Sequence, residues 1–195
     1  EVLDDWGERI RRDNAKLLLQ LASSYGTKFT IHSPILDMNI ASANPRFRSL
    51  SVRQVKESID NAVSIGASLV VVHPGSSSPV DEQCRGTQWE RNVASLREIV
   101  SYAEDSGIVA AIENMPRNAK SFLTTPGEFE LLEELGFDLN ITLDVGHANT
   151  MSNLTEFVGK LKARIVHVHI HDNKGDRDEH LVAGKGTVDW DYLRS

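Results

Sequence analysis

Short apolar runs alternate along the chain with longer segments whose apolar residues recur at helical spacing. Five runs stand out: Phe29-Thr30-Ile31, Leu69-Val70-Val71-Val72, Val109-Ala110-Ala111-Ile112, Ile141-Thr142-Leu143 and Ile165-Val166-His167-Val168. All but the third are rich in β-branched or aromatic residues, and their length predicts strands buried on both faces of a parallel sheet. Between them, Val52, Val55, Ile59 and Val63 mark one helical stripe, and Trp89, Val93, Leu96 and Val100 mark another. Ser51-Val52-Arg53-Gln54 and Thr125-Pro126-Gly127-Glu128 have capping-box spacing, so each predicts a helix start. Gly66, Gly107 and Gly136 stand where a helix hands over to the next strand, the place of a left-handed C-terminal residue. The order is a helix, then strand–helix four times, then a fifth strand, with a last helix beginning near Trp190. It predicts a single α/β domain over residues 1–195 built on a parallel sheet.

The residues that follow the strands carry the chemistry. The five runs lead into His32, His73, Glu113, Asp144 and His169, at steps of 41, 40, 31 and 25 residues. Parallel strands point the same way, so these side chains are expected on one rim, the C-terminal rim where (β/α) barrels place their active sites. Pleat alternation is consistent with this. One position earlier come Ile31, Val72, Ile112, Leu143 and Val168, all large and apolar, as a helix-facing side requires. All seven histidines (His32, His73, His147, His167, His169, His171 and His180) lie at or just beyond a predicted strand end. Imidazole and carboxylate together suit zinc, manganese or iron better than calcium. Asp144 and His147 can line one cavity from a single turn. Asp178 and His180 sit two apart in a glycine-flanked loop. His167 lies deeper and reads equally as a buried hydrogen-bonded histidine, whereas His171, one pleat further out, faces either the ligands or a substrate.

Composition narrows the partners. The 28 acidic residues against 21 basic ones give a net charge of −7, which disfavours non-specific nucleic-acid binding. No stretch approaches the ~18 consecutive apolar residues of a membrane span. The opening Glu1-Val2-Leu3-Asp4-Asp5-Trp6 does not read as a signal peptide. A single cysteine, Cys84, forms no internal disulfide, which fits a cytoplasmic setting. Trp6, Trp89 and Trp190 read as packing residues, with Trp190 placed to cover the site.

At these residues the sequence resembles the xylose isomerase-like TIM-barrel superfamily, which contains endonuclease IV (the AP endonuclease family 2) and the sugar phosphate isomerases and epimerases. The matching segments are Val72-His73-Pro74-Gly75, Ile112-Glu113-Asn114, Leu143-Asp144-Val145-Gly146-His147, His169-Ile170-His171-Asp172-Asn173, Asp178-Glu179-His180 and Gly184-Lys185-Gly186. The resemblance implies a (β/α)8 barrel, of which about strands three to seven are present, incomplete at both ends. It also implies one to three divalent ions. In endonuclease IV-like sites, His32 and His73 would hold the first, with Glu113 bridging to a second completed by Asp144 and His169. His147, Asp178 and His180 would hold the third. In the isomerase branch a single ion is bound by Glu113, Asp144, His169 and a glutamate from the last strand, which has no counterpart here.

Two chemistries follow. The first is a metal-dependent sugar or sugar-phosphate isomerase or epimerase working through an enediolate, with Glu113 and His147 as candidate catalytic residues. His171, Lys174 and Lys185 would meet the substrate. The second is an endonuclease IV-like AP endonuclease, in which a hydroxide held between metals attacks a DNA phosphodiester. The eight ligands His32, His73, Glu113, Asp144, His147, His169, Asp178 and His180 favour the second, since one ion has no need of Asp178 and His180. The acidic charge opposes it, as does the short step from Asp144 to His169. So does the loop Ser33-Pro34-Ile35-Leu36-Asp37-Met38-Asn39, which lacks an aromatic residue to enter a duplex. Strands three to seven alone would leave two bare sheet edges. Residues 1–195 expressed by themselves are therefore expected to aggregate or stay silent, and a chain extended at both ends to be soluble and active. Solubility and metal-dependent turnover measured side by side check this.

Overall fold

A computed structural model describes residues 1–7, 9–77, 85–117 and 120–194; Cys84 lies outside the described residues. Its Cα packing separates into two compact units, Glu1–Ala111 and Ile112–Ser195, with the boundary inside a strand. The first unit holds β1 (Val2–Leu3), α1 (Arg12–Tyr25), β2 (Ile31–His32), α2 (Pro45–Ile65), β3 (Leu69–Val72) and α3 (Arg85–Asp105). β4 (Val109–Glu113) begins in the first unit and ends in the second. The second continues through α4 (Pro126–Glu134), β5 (Ile141–Asp144), α5 (Val145–Thr150), α6 (Leu154–Leu161), β6 (Ile165–His169) and α7 (Trp190–Arg194). Chain-neighbouring strands pair in parallel within each unit: β1 with β2 and β2 with β3 in the first, β4 with β5 and β5 with β6 in the second. This is the repeating strand–helix order of a (β/α) barrel.

The five expected strands are present within a residue or two, and β1 adds a sixth. Only Val2 and Leu3 belong to it, too short a run to show periodicity. The chain therefore opens in a strand and not in a helix. Gly66, Gly107 and Gly136 take the expected left-handed backbone, with φ of 68°, 70° and 82°. At the start of α4, the Glu128 carboxylate accepts the backbone N–H groups of Thr124 and Thr125 at 2.8 and 3.1 Å, the return half of the expected capping box.

Two expectations shift. Ser51 does not begin α2. The helix starts six residues earlier, with Pro45 in its first turn and the Asn44 side chain accepting the N–H groups of Arg46 and Phe47. Ser51 instead donates its hydroxyl to the Phe47 carbonyl one turn back and accepts the Asn39 N–H. The stripes also differ from the apolar pattern. Val63 is 53% exposed, and the buried side of α2 runs through Val52, Val55, Ile59 and Ala62. The buried side of α3 includes Asn92, Ser95, Leu96, Ile99 and Ala103. Its polar members serve the loops: Asn92 accepts the Gly75 N–H, and Ser95 donates to the Ile40 carbonyl. A hydropathy pattern passes over such residues.

Pleat alternation separates the two sheet faces. In the first unit Leu69, Val71 and Ala111 form one buried cluster on one face, while Ile31, Val70 and Val72 are fully buried on the other. In the second unit Ile112 and Leu143 are buried at the predicted helix-facing positions, but Val168 is 42% exposed. Beside it runs an apolar groove of about 770 Å³, lined by Leu143, Ile165, Val168, Ile170, Trp190 and Leu193, which the five-residue α7 covers only in part.

α6 packs against α4 and α5, and Phe129 and Phe157, both fully buried, meet edge-to-face at 5.7 Å. Because α6 supports α5, which carries His147, this pair underlies the site. Phe157→Ala is expected to lower the unfolding free energy by about 3–5 kcal/mol, read as a fall in the urea midpoint without a change of slope.

Candidate metal centre

Each unit places its strand-end residues at the C-terminal ends of parallel strands. In the first unit these are His32 and His73, whose rings meet edge-to-face at 4.9 Å. The remaining residues come together in the second unit. Glu113 ends β4, Asp144 ends β5 and His169 ends β6. Ligand atoms of these three all lie within 4.8 Å of one another. His169 Nδ1 is 2.9 Å from Glu113 Oε1 and 3.6 Å from Asp144 Oδ2.

Asp144 also starts the next helix. Its Oδ1 accepts the His147 N–H at 2.7 Å, so the residue that ends β5 is the N-cap of α5. That turn brings His147 back over the cluster, with Nδ1 3.6 Å from Glu113 Oε1. The same Nδ1 lies 2.8 Å from the Asn114 carbonyl and donates to it, which leaves Nε2 as the basic nitrogen, 3.3 Å from Asp178 Oδ2. Asp178 also meets His180 Nε2 at 3.0 Å and His171 Nε2 at 3.5 Å. Two further groups thus have ligand atoms within 4.8 Å: Asp144, His147 and His171, and His171, Asp178 and His180. The third ion implied by the resemblance needs His147, Asp178 and His180. The geometry joins the last two, adds His171, and brings His147 to the same carboxylate. His180 holds its place with a left-handed backbone, φ 51°, uncommon for a side chain of its size.

Charge explains the proton positions. Glu113 and Asp144 are 1% and 2% exposed, and the histidines around them offset their charge. Burial pushes the Asp144 carboxyl up, but hydrogen bonds from His169 and His171 and the charge of His147 outweigh it and hold it at about 2. Burial likewise pulls His147 down, but the hydrogen bond to Asp178 and the charges of Asp144 and Glu113 lift it to about 9. His171 is raised, chiefly by its hydrogen bond to Asp144. Two buried carboxylates with the ring nitrogens of several histidines within reach of them form a set of ligand atoms that fits zinc, manganese or iron. Glu113, Asp144 and His169 would hold such an ion.

Three further residues, Asn114, Asn173 and Asp172, support the site through hydrogen bonds to distant backbone, which a sequence pattern does not record. Asn114 clamps β5: its Oδ1 accepts the Asp144 N–H at 2.7 Å and its Nδ2 donates to the Asp144 carbonyl at 3.0 Å. Asn173 donates to the Gly146 carbonyl at 2.7 Å. Asp172, fully buried, ties down the irregular segment that carries Asp178 and His180. It accepts from the Asn173, Gly184 and Val188 N–H groups and, at 2.9 Å, from Trp190 Nε1. Trp190 thus serves packing through a polar anchor. Lys174 and Lys185, the expected phosphate contacts, are exposed on this segment. His167 is half-buried, with its ring 5.2 Å from that of His169.

Burial raises the Asp172 carboxyl, but hydrogen bonds from Trp190 and the Gly186, Val188 and Asn173 N–H groups outweigh it and hold it at about 2. Its unfolded value is about 3.9. A depressed carboxylate contributes stability that is complete above about pH 4 and is lost as pH falls toward 2. Asp172→Ala is expected to cost about 1.5–3 kcal/mol at neutral pH and to flatten the acid limb between pH 4 and 2, checked by urea unfolding across that range.

Comparison with known proteins agrees with the fold. Residues 2–195 match the family described as xylose isomerase-like TIM barrel. An uncharacterised protein of Methanocaldococcus jannaschii is 38% identical over 195 residues, which cover 97% of this chain and 67% of that protein. A crystal structure of a D-tagatose 3-epimerase-like protein is similar with a TM-score of 0.91 at 36% identity, over 96% of this chain and 72% of that one. A probable endonuclease 4 of Mycobacterium leprae is 31% identical over 173 residues, 84% of this chain and 66% of that protein. The chain thus spans about two thirds of the length of the curated relatives it matches. Among the described residues, no helix is long and apolar enough to cross a membrane.

Proposed function

The chain belongs to the xylose isomerase-like TIM-barrel family, and within it we propose that it acts as a divalent-metal-dependent isomerase or epimerase on a sugar or sugar phosphate. What carries this reading over its alternative is the likeness to the D-tagatose 3-epimerase-like protein, at 36% identity and a TM-score of 0.91. The net charge of −7 supports it as well, since an acidic protein gains little from a polyanion.

A zinc, manganese or iron ion held by Glu113, Asp144 and His169 supplies Lewis-acid polarisation of neighbouring carbonyl and hydroxyl oxygens, which lowers the cost of an enediolate. Glu113 serves the carbon-bound proton on one face, and the last-strand glutamate that the resemblance implies, which has no counterpart in these residues, would serve the opposite face. Burial among histidines keeps the Glu113 carboxylate in place and excludes competing water. His147, anchored through Nδ1 on the Asn114 carbonyl, exchanges a proton at Nε2 with a substrate oxygen. Lys174 and Lys185 meet a phosphate where the substrate has one.

One observation favours the second reading, an endonuclease IV-like AP endonuclease acting on DNA. Asp178 and His180 are already paired at 3.0 Å, with His147 at 3.3 Å, a preassembled group that a one-ion isomerase does not require. In that reading His32 and His73 would hold a further ion, for three in all.

Stoichiometry and substrate separate the two. Protein purified without chelator is expected to carry a transition metal, and Glu113→Ala and His169→Ala each to strip it, as elemental analysis shows directly. The full-length enzyme is expected to interconvert a ketose–aldose or epimer pair and to leave an abasic duplex intact at physiological salt. Efficient metal-dependent incision with two or more ions per chain would reverse the choice.

A further inference from the structure

A cleft of about 360 Å³ lies between α2 and α3 in the first unit. Arg48, Val52, Arg53 and Lys56 line it from one face of α2, and Ser95 and Glu98 from α3. The two helices pack against each other, and Val52 and Ser95, each 5% exposed, form the floor. Ser95 is fixed there by its hydroxyl, which donates to the Ile40 carbonyl at 2.7 Å. None of the lining residues belongs to the candidate metal centre.

Among the described residues the lining holds three cations and one carboxylate, in a chain whose net charge is −7. The three cations are unequally neutralised. Lys56 Nζ lies 2.7 Å from Glu98 Oε1 and 4.9 Å from the centre of the Tyr102 ring. Arg53 is mostly exposed, and its Nε is 3.8 Å from Glu57 Oε1, a long ion pair. Arg48, half-buried, spends one N–H on the Ser42 carbonyl at 2.6 Å and meets no carboxylate among the described residues. A guanidinium carries five N–H groups, so most of its fork remains for an acceptor with several oxygens. Like charges on adjacent turns of a helix repel, and an anion between them relieves the repulsion.

We propose that this cleft is an anion site for a small phosphate ester, whatever reaction the metal cluster performs. A phosphate ester carries close to two negative charges at neutral pH, which matches the surplus of two cations over carboxylates in the lining. Its oxygens suit the planar fork of Arg48, and Arg53 closes the mouth from the solvent side. The volume is at the small end of the ~300–1,000 Å³ that small-molecule sites span, enough for a short phosphorylated polyol. Glu98 is the competitor: an occupant must share Lys56 with it.

Calorimetric titration of the full-length protein with glycerol 3-phosphate, inorganic phosphate and a short DNA duplex at low salt tests this. Glycerol 3-phosphate is expected to bind more tightly than inorganic phosphate, and Arg48→Gln to weaken it about tenfold, as loss of a charge-assisted hydrogen bond does. Arg53→Gln, at an exposed position, is expected to weaken it as well and carries the test should Arg48→Gln fail to fold. Glu98→Gln frees Lys56 and is expected to tighten binding severalfold, the opposite of what general damage to the cleft would do. A double variant with Lys174→Gln and Lys185→Gln is expected to keep this binding, which separates the cleft from any phosphate contact near the metal cluster. Binding that the Arg48 and Arg53 variants leave unchanged, or that the double lysine variant abolishes, overturns the proposal. So does wild-type protein that binds no glycerol 3-phosphate, that prefers inorganic phosphate, or that binds the duplex more tightly through Arg48.

Discussion

Two carboxylates with almost no access to water, Glu113 and Asp144, set the terms for the second unit. A buried, unpaired carboxylate is expensive, so each must be met by donors of fixed geometry or by a cation. The structure meets them from four places: the end of β6 through His169, the first turn of α5 through His147, the second residue beyond β6 through His171, and the α5 backbone. The double use of Asp144, as strand end and helix cap, is the most economical part of this arrangement. The N–H groups at the start of α5 favour negative charge there, so the cap that begins the helix also steadies the carboxylate.

The segment between β6 and α7 answers a second constraint. It must carry Asp178 and His180 to the cluster without the regular hydrogen bonds of a strand or helix. One buried side chain, Asp172, takes the place of a ladder by accepting several backbone N–H groups and the indole of Trp190, while Asp172 and Leu181 exchange backbone hydrogen bonds. Irregular backbone is stable in a protein where its polar groups are satisfied, and here a carboxylate satisfies most of them.

The same constellation is compatible with either proposed reaction because both ask similar things of it: buried carboxylates and imidazoles gathered at the C-terminal ends of parallel strands. Fold therefore does not choose between them. The choice turns on how many of the ligand groups hold an ion at once, and on whether the rim meets a small sugar or a charged duplex.

Much of this was legible along the chain. Glu113, Asp144 and His169 stand where strands end, and parallel strands make sequence order into spatial convergence. Gly66, Gly107 and Gly136 were legible because a left-handed backbone selects glycine locally, and Thr125 to Glu128 because a capping box closes within four residues. What the tertiary structure decided are the partnerships of polar side chains with distant backbone. Ser51 has the spacing of a cap, yet Asn44 and Pro45 begin the helix, and Ser51 is spent on Phe47 and Asn39. Asn92 and Ser95 are buried because loops pass over α3 at those positions, which no periodicity records. β1 is a strand only because Val2 and Leu3 lie beside Ile31 and His32. The place of His171 belongs to the same class: a histidine two residues past a strand end announces itself as chemistry, but its packing against Gly146 and its reach to the Asp144 carboxylate come only from the fold.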